Sequence, residues 1–329
     1  MSGAATGSAL AVDLGGTKLL VGIVDRDGRV LARQRIATPQ GGPDAVARAI
    51  GDLARALSGA NGMAGTSGVG VAVPGPTDHD HGVIYDPPNL TGWGQQTAFG
   101  PILARTLGTP VFVENDANAA ALGEAWVGAG QGVRDLIYIT VSTGIGGGVI
   151  LDGQLHRGAD GTAGEFGHVI VEPQGPQCHC GNRGCLEALA SGTAIARQAR
   201  EAVARGARST LQNLAAHPEE ITAQSVADAA LGGDPLAADL YRRAGTYVGT
   251  FLGNLLAILN PAMIIVGGGV SKTGDLLFQP LRAAIAARVY PKPALHVTVV
   301  PADLGDDVGI IGAAALVFHG ASERARRPT

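Results

Sequence analysis

The chain has 329 residues, 46% of them apolar and 16% charged, with a formal net charge of −4. That is enough apolar material for one large domain or two, and too little positive charge to predict a nucleic-acid partner or a strongly acidic one. The opening "MSGAATGSAL" has neither the basic patch nor the apolar run of a secretory leader, and three cysteines cannot all pair with one another; both features predict a reducing, cytoplasmic setting.

Strand and helix patterns alternate along most of the chain. "ALAVDL" (9–14) and "LLVGIVD" (19–25) read as strands joined by a glycine turn, and "GRVLARQRI" as a third. "GPDAVARAIGDLARAL" (42–57) is an amphipathic helix, "SGVGVAVPG" (67–75) a strand ending in a Pro-Gly turn, and "TPVFVEND" (109–116) a strand running into a helix at "ANAAALGEAW". The pattern restarts at "DLIYITVSTGIGGGVILDG" (135–153), which repeats the strand, glycine turn with Thr, and strand of residues 10–28 and predicts an internal duplication. Helices follow near 193–205, 222–231 and 235–259, then a strand at 262–269, a helix near 275–288, a strand near 295–300 and a last helix near 308–319. The tail "SERARRPT" reads as disordered. Residues 244–271 carry no Asp, Glu or Arg and no Lys, with glycines at 245, 249 and 253. The run is long enough for a membrane span, but Asn260-Pro261 interrupts it, so a buried helix closely approached by another backbone is expected. The whole predicts two α/β lobes with a central cleft, where ligand sites concentrate.

Four stretches carry chemistry. In "DLGGTK" (13–18), Gly15 and Gly16 permit close backbone approach to a large anion, Thr17 and Lys18 add a hydroxyl and a charge, and Asp13 can hold a magnesium ion through water; a plain hairpin turn is the competing reading. "STGIGGG" (142–148) is the matching turn, where Thr143 and the N–H groups around Gly144 and Gly146 can form a second anion site. Gly268 and Gly269 follow a buried strand, where backbone can pass close to a base or ribose. In "VENDAN", Asp116 is either a helix N-cap or, beside Asn115, a carboxylate that takes a proton from an attacking hydroxyl. Finally, Cys178, Cys180 and Cys185 in "CHCGNRGCLE" with the upstream His168 make a tetrahedral zinc set, closed and therefore structural. His179 is the alternative imidazole. Such a loop would fix Glu165 and Glu187 to accept hydrogen bonds from sugar hydroxyls and would lower their ordering entropy on binding.

"DLGGTK", "STGIGGG", "GEFGH" and "CHCGNRGCLE", in that order, resemble the ROK family of bacterial sugar kinases and repressors, from about residue 9 to about residue 319. "VPGP", "PPNLTGW" and "VENDANAAALGE" are most similar to its glucose-phosphorylating members. The resemblance implies an actin-like, ribonuclease-H-like two-lobed ATPase fold. Its small lobe would comprise residues 1–116 plus about 306–329, and its large lobe residues 117–305 with the zinc loop. It implies Asp116 as general base on the sugar 6-hydroxyl, with Asn115, Glu165, His168, Glu187, Gly75 and Asn89 at the sugar. Zinc would be held by His168, Cys178, Cys180 and Cys185, and ATP with magnesium by the two glycine turns. Glucose is the implied acceptor, with fructose, mannose, allose or N-acetylmannosamine as alternatives and polyphosphate as an alternative donor. A homodimer or homotetramer is the family habit. A sugar-responsive repressor is the remote alternative, because only twelve residues precede Asp13, too few for a DNA-binding module.

Overall fold

The computed structural model describes residues 7–58, 65–214, 216–288 and 296–324. In chain order, the first elements are β1 (Ser8–Leu14), β2 (Lys18–Asp25), β3 (Val30–Ala37), α1 (Gly42–Ser58), β4 (Thr66–Val73), β5 (Thr77–Asp78), β6 (Val83–Tyr85), β7 (Gln96–Thr97), α2 (Phe99–Leu107), β8 (Val111–Asn115) and α3 (Asp116–Val127). There follow β9 (Leu136–Val141), β10 (Ile145–Leu151), β11 (Gln154–Leu155), α4 (Leu186–Ala190), α5 (Gly192–Ala204), α6 (Ala223–Leu231), α7 (Pro235–Leu259), β12 (Met263–Gly267), α8 (Asp275–Arg288), β13 (Thr298–Pro301) and α9 (Val308–Arg324).

The chain divides into two compact units. One comprises Met1–Arg134, Gly148–Gly164 and Asp303–Thr329; the other comprises Asp135–Gly147 and Glu165–Ala302. The five-stranded sheets have the orders β3-β2-β1-β4-β8 and β11-β10-β9-β12-β13. β4 runs parallel to both β1 and β8, and β12 runs parallel to both β9 and β13. Strand order and direction therefore match position by position, which is the duplication legible in the two strand–glycine–strand stretches.

In the first unit, β1 buries nearly every residue because both of its faces are covered. Val46, Ala47, Ile50, Leu53 and Ala54 form the apolar stripe of α1 and join Leu10, Val12, Val71, Phe99 and Val113 in one core. α9 covers the other face at backbone contact. A Cβ on Gly70 would lie 1.7 Å from Ala313 O, and one on Gly312 would lie 2.0 Å from Ala119 O, so only glycine lets α9 sit between β4 and α3.

In the second unit, α7 is the uncharged run. Asp234 caps its start and Asn260, at φ 45°, ends it. Gly249 lies where a Cβ would come within 2.2 Å of Leu281 O, and Gly245 where one would come within 2.7 Å of Leu277 O. The small residues serve α7–α8 packing, and among the described residues no helix is long and apolar enough to cross a membrane.

The structure departs from the sequence reading in a few places. β8 ends at Asn115 and α3 opens on Asp116 itself; the N-cap is Asn115, whose side chain accepts from Ala117 N and Asn118 N. Asp116 is therefore not the cap but the first residue of the helix, and its Oδ1 accepts from Ala117 N. α2 and the small sheet β5-β6-β7 were not anticipated, since strands of two or three residues carry no readable alternation. The last helix continues to Arg324, three residues into the tail read as disordered; residues 325–329 lie outside the described residues.

Candidate active site

In the first unit the β1–β2 turn is closed by Gly15 N donating to Lys18 O at 2.9 Å, and it is held from β3 by Thr38 Oγ1 donating to Gly15 O at 2.6 Å. Thr17 and Lys18 are exposed. Gly16 is glycine for a steric reason: a Cβ there would lie 2.5 Å from Asn89 Cβ and 2.7 Å from Asn89 O. Asn89 itself takes φ 65°. Asp13 faces Gly309 of α9, where a Cβ would come within 2.6 Å of its carboxylate. Burial pushes the Asp13 carboxyl above its ordinary value, with Arg35 acting in the opposite direction; a cation beside it would restore the ionised form.

Asn115 reaches back from the head of α3 and donates through Nδ2 to Gly75 O at 3.2 Å. Gly75 has φ 92°, and Pro88 Cδ lies 3.1 Å from where its Cβ would be. The structure thus brings Gly16 to Asn89 and Gly75 to Asn115, residues quoted from four separate motifs. Asp116 is exposed, and its Oδ1 accepts from Ala117 N at 2.7 Å.

In the second unit His168 Nδ1 lies 3.7 Å from Cys178 Sγ, and Cys180 Sγ lies 3.7 Å from Cys185 Sγ. The four ligand atoms of His168, Cys178, Cys180 and Cys185 fall within 4.8 Å of one another. With Zn–S near 2.3 Å, a tetrahedral edge is about 3.8 Å, so both paired separations fit a single ion. Burial pushes the Cys185 thiol up to about 12 and raises Cys178. A hydrogen bond from the backbone at Asn182 lowers Cys180. Three thiols this close together can ionise together only beside a cation. Gly184, at φ 72°, has Glu172 O where a Cβ would be, 1.5 Å away, so the knuckle closes only with glycine there.

That knuckle leads directly into α4, which carries Glu187. Glu187 Oε2 accepts from Ile145 N at 2.8 Å, and Oε1 lies 3.2 Å from His179 Nδ1. Gly144 leaves room for this carboxylate, since its Cβ would lie 2.4 Å from Glu187 Oε2. His168 also forms a second possible ligand group with His179 and Glu187. Glu165, one turn before His168, has a carboxyl raised by desolvation, opposed by the His168 charge and reinforced by Glu187.

A cavity of about 340 Å³ in the same unit is lined by Thr143 and Gly269, and also by Thr193, Arg200, Gln224 and Tyr241. The sequence pointed only to the first two; the others come from α5, α6 and α7, which no local motif links. Gly268, at φ 89°, answers to backbone crowding, because its Cβ would lie 2.3 Å from Val141 O. Gly146 lies within β10 and does not line the cavity. Glu114 and Arg157 also escaped the sequence reading, although an acid inside the apolar strand "VFVEN" is itself a signal that a buried cation faces it.

Over residues 9–319 the sequence matches the family described as the ROK family. A glucokinase of Thermotoga maritima is 40% identical over 309 residues, 94% of this chain and 96% of that one. A ROK family glucokinase from Streptomyces griseus, solved in complex with glucose and AMPPNP, is 36% identical. It covers 94% of this chain and 98% of its own, with a TM-score of 0.78. A xylose repressor of Bacillus spizizenii is 31% identical over 78% of this chain but only 62% of its own length.

Proposed function

As a chain that belongs to the ROK family, this protein is one for which we propose ATP-dependent phosphorylation of glucose at its 6-hydroxyl. The observation that carries the proposal is Asp116. It is exposed at a strand–helix junction, one residue past the Asn115 cap, in a sequence similar over nearly its whole length to glucokinases.

In this reading Asp116 accepts the 6-hydroxyl proton as O6 bonds to the γ-phosphorus and the bond from that phosphorus to the β,γ-bridging oxygen breaks, releasing ADP and glucose 6-phosphate. Asn115, Glu165, His168 and Glu187 bind the hydroxyls, with Gly75 and Asn89 lining the sugar pocket. Positioning supplies much of the rate, because little covalent chemistry falls to the protein. The cavity lined by Thr143, Arg200 and Tyr241 supports a nucleoside donor, since polyphosphate has no base or ribose to fill it. Asp13 and the two glycine turns take the phosphates, and a magnesium ion beside them supplies charge neutralisation. His168, Cys178, Cys180 and Cys185 hold a structural zinc ion, whose work is to fix the loop that presents His168 and Glu187. We take residues 1–116 plus about 306–329 as the small lobe, and place the enzyme in the cytoplasm as a homodimer or homotetramer.

The test is a panel of hexoses (glucose, fructose, mannose, allose and N-acetylmannosamine) with ATP and with polyphosphate, on wild type and Asp116→Asn. Glucose with ATP is expected to give the highest kcat/KM. Asp116→Asn is expected to retain glucose binding while turnover falls at least about 10³-fold. Preference for another sugar or donor, or turnover retained in the variant, refutes the corresponding assignment.

A further inference from the structure

Glu114 is 1% exposed and is not the cap of α3, yet three separate residues donate to it. Its Oε2 accepts from Arg157 Nε at 2.6 Å, and the Arg157 side chain is itself 11% exposed. Its Oε1 accepts from Asn115 N at 3.0 Å and from Asn118 Nδ2 at 3.1 Å. A buried acid without its cation is costly, and replacing both partners by neutral groups is far milder than removing one. Asn115 already satisfies the N–H groups that a cap should satisfy. What the pair adds is a clamp: Glu114, on β8, accepts from Asn118 in the first turn of α3 and from Asn115 N at the end of its own strand, with Asp116 between those two residues.

The charged groups around Glu114 can be named. Glu114 stands on β8 and Arg157 on the segment after β11, while His79 in the β5–β6 connection lies 3.6 Å from Glu114 Oε2. His79 Nδ1 also faces Val113 O at 3.1 Å, where its N–H donates. Further along α3, Glu124 is held by the N–H groups of Ala129, Asp303 and Leu304. Of these, Arg157 carries the fixed positive charge that offsets Glu114.

We propose that Arg157 is a positioning residue for phosphoryl transfer: acting through Glu114, it fixes the first turn of α3 and cancels the Glu114 charge that Asp116 would otherwise feel. The inference rests on Asp116 being the base. It predicts opposite electrostatic effects from the two halves of the pair. Without Arg157 the negative charge at Glu114 is uncompensated and makes Asp116 harder to ionise; without the Glu114 charge Arg157 makes ionisation easier.

The experiment measures single-turnover phosphorylation of glucose from about pH 5 to pH 9, with steady-state KM values and thermal unfolding. The proteins are wild type, Arg157→Met, Glu114→Gln and the double variant. In Arg157→Met the acid limb is expected to move up by about one pH unit, and kcat to fall about 30-fold, with the ATP KM changed less than about threefold. In Glu114→Gln the limb moves down, and in the double variant it returns toward wild type. If Arg157→Met does not fold, the downward shift in Glu114→Gln alone tests the electrostatic claim. Limbs that stay in place while only the unfolding temperature drops would overturn the proposal and leave the pair purely structural. Full turnover in Asp116→Asn would instead sink the base assignment, whatever the Arg157 variants do.

Discussion

Ile145 and Glu187 meet through a single hydrogen bond, in which the Ile145 N–H donates to Glu187 Oε2 at 2.8 Å. It joins the glycine turn at the head of β10 to the first turn of α4, so that turn and the cysteine knuckle share one carboxylate. A Glu187→Gln side chain can still accept from Ile145 through its amide oxygen, but its other end donates. We expect unfolding temperature to change little, glucose KM to rise about tenfold or more and ATP KM to stay within about threefold. Steady-state kinetics in both substrates check the split.

The knuckle should carry one zinc ion per chain, measured by elemental analysis of the active protein. Cys185 is buried, and Cys185→Ser should release the metal, lower the unfolding temperature and raise glucose KM more than ATP KM. Because the ligand thiols bind metal only when deprotonated, zinc should also be lost as pH falls, with proton uptake. Full activity without metal would contradict this.

Gly16→Ala places a methyl group 2.5 Å from Asn89 Cβ, so one of the two chains must yield. We expect a loss of about 1–3 kcal/mol in stability and a fall in kcat/KM. Asn89→Gly in the same protein removes the Cβ contact and suits φ 65°, so the double variant should unfold at a higher temperature than Gly16→Ala alone. Calorimetry of the pair decides it.

Asp234 supplies an acid-stability test. Burial alone raises its carboxyl, but hydrogen bonds from Ala237 N, Thr210 N and the Ser209 and Thr210 hydroxyls outweigh burial and bring it from 3.8 to about 2. The folded value lies below the unfolded one, so the stabilisation is present above about pH 4 and is lost as pH falls toward 2. Its size is about 2 kcal/mol. Asp234→Asn should be less stable at neutral pH and should show a flatter stability curve across that window, as read by denaturant unfolding at several pH values.

Much of the fold was legible because the strands are strongly apolar and punctuated by glycine. The two strand–turn–strand stretches announced the duplication, and Asn260-Pro261 marked the end of α7. The clustering of His168 with the three cysteines was legible because these are rare residues close together. The lining of the cavity was not: Thr193, Arg200 and Tyr241 are ordinary helix residues that become neighbours only when α5, α6 and α7 pack. Nor was it legible that Asn115 and not Asp116 is the cap of α3, because Asn and Asp both favour that position. The small sheet β5-β6-β7 was invisible because its register comes from turns, not from alternation.

α9 also constrains the order in which the chain can mature. It is made after every other described element, yet it seats against Gly70 on β4 and Ala119 on α3 in the unit most of whose strands are made first. A ribosome-bound chain that has produced the first nine-tenths of this sequence therefore exposes a broad apolar sheet surface with no partner. Domains usually fold in order of synthesis; here the earlier-made unit must wait for α9, or be shielded until it arrives.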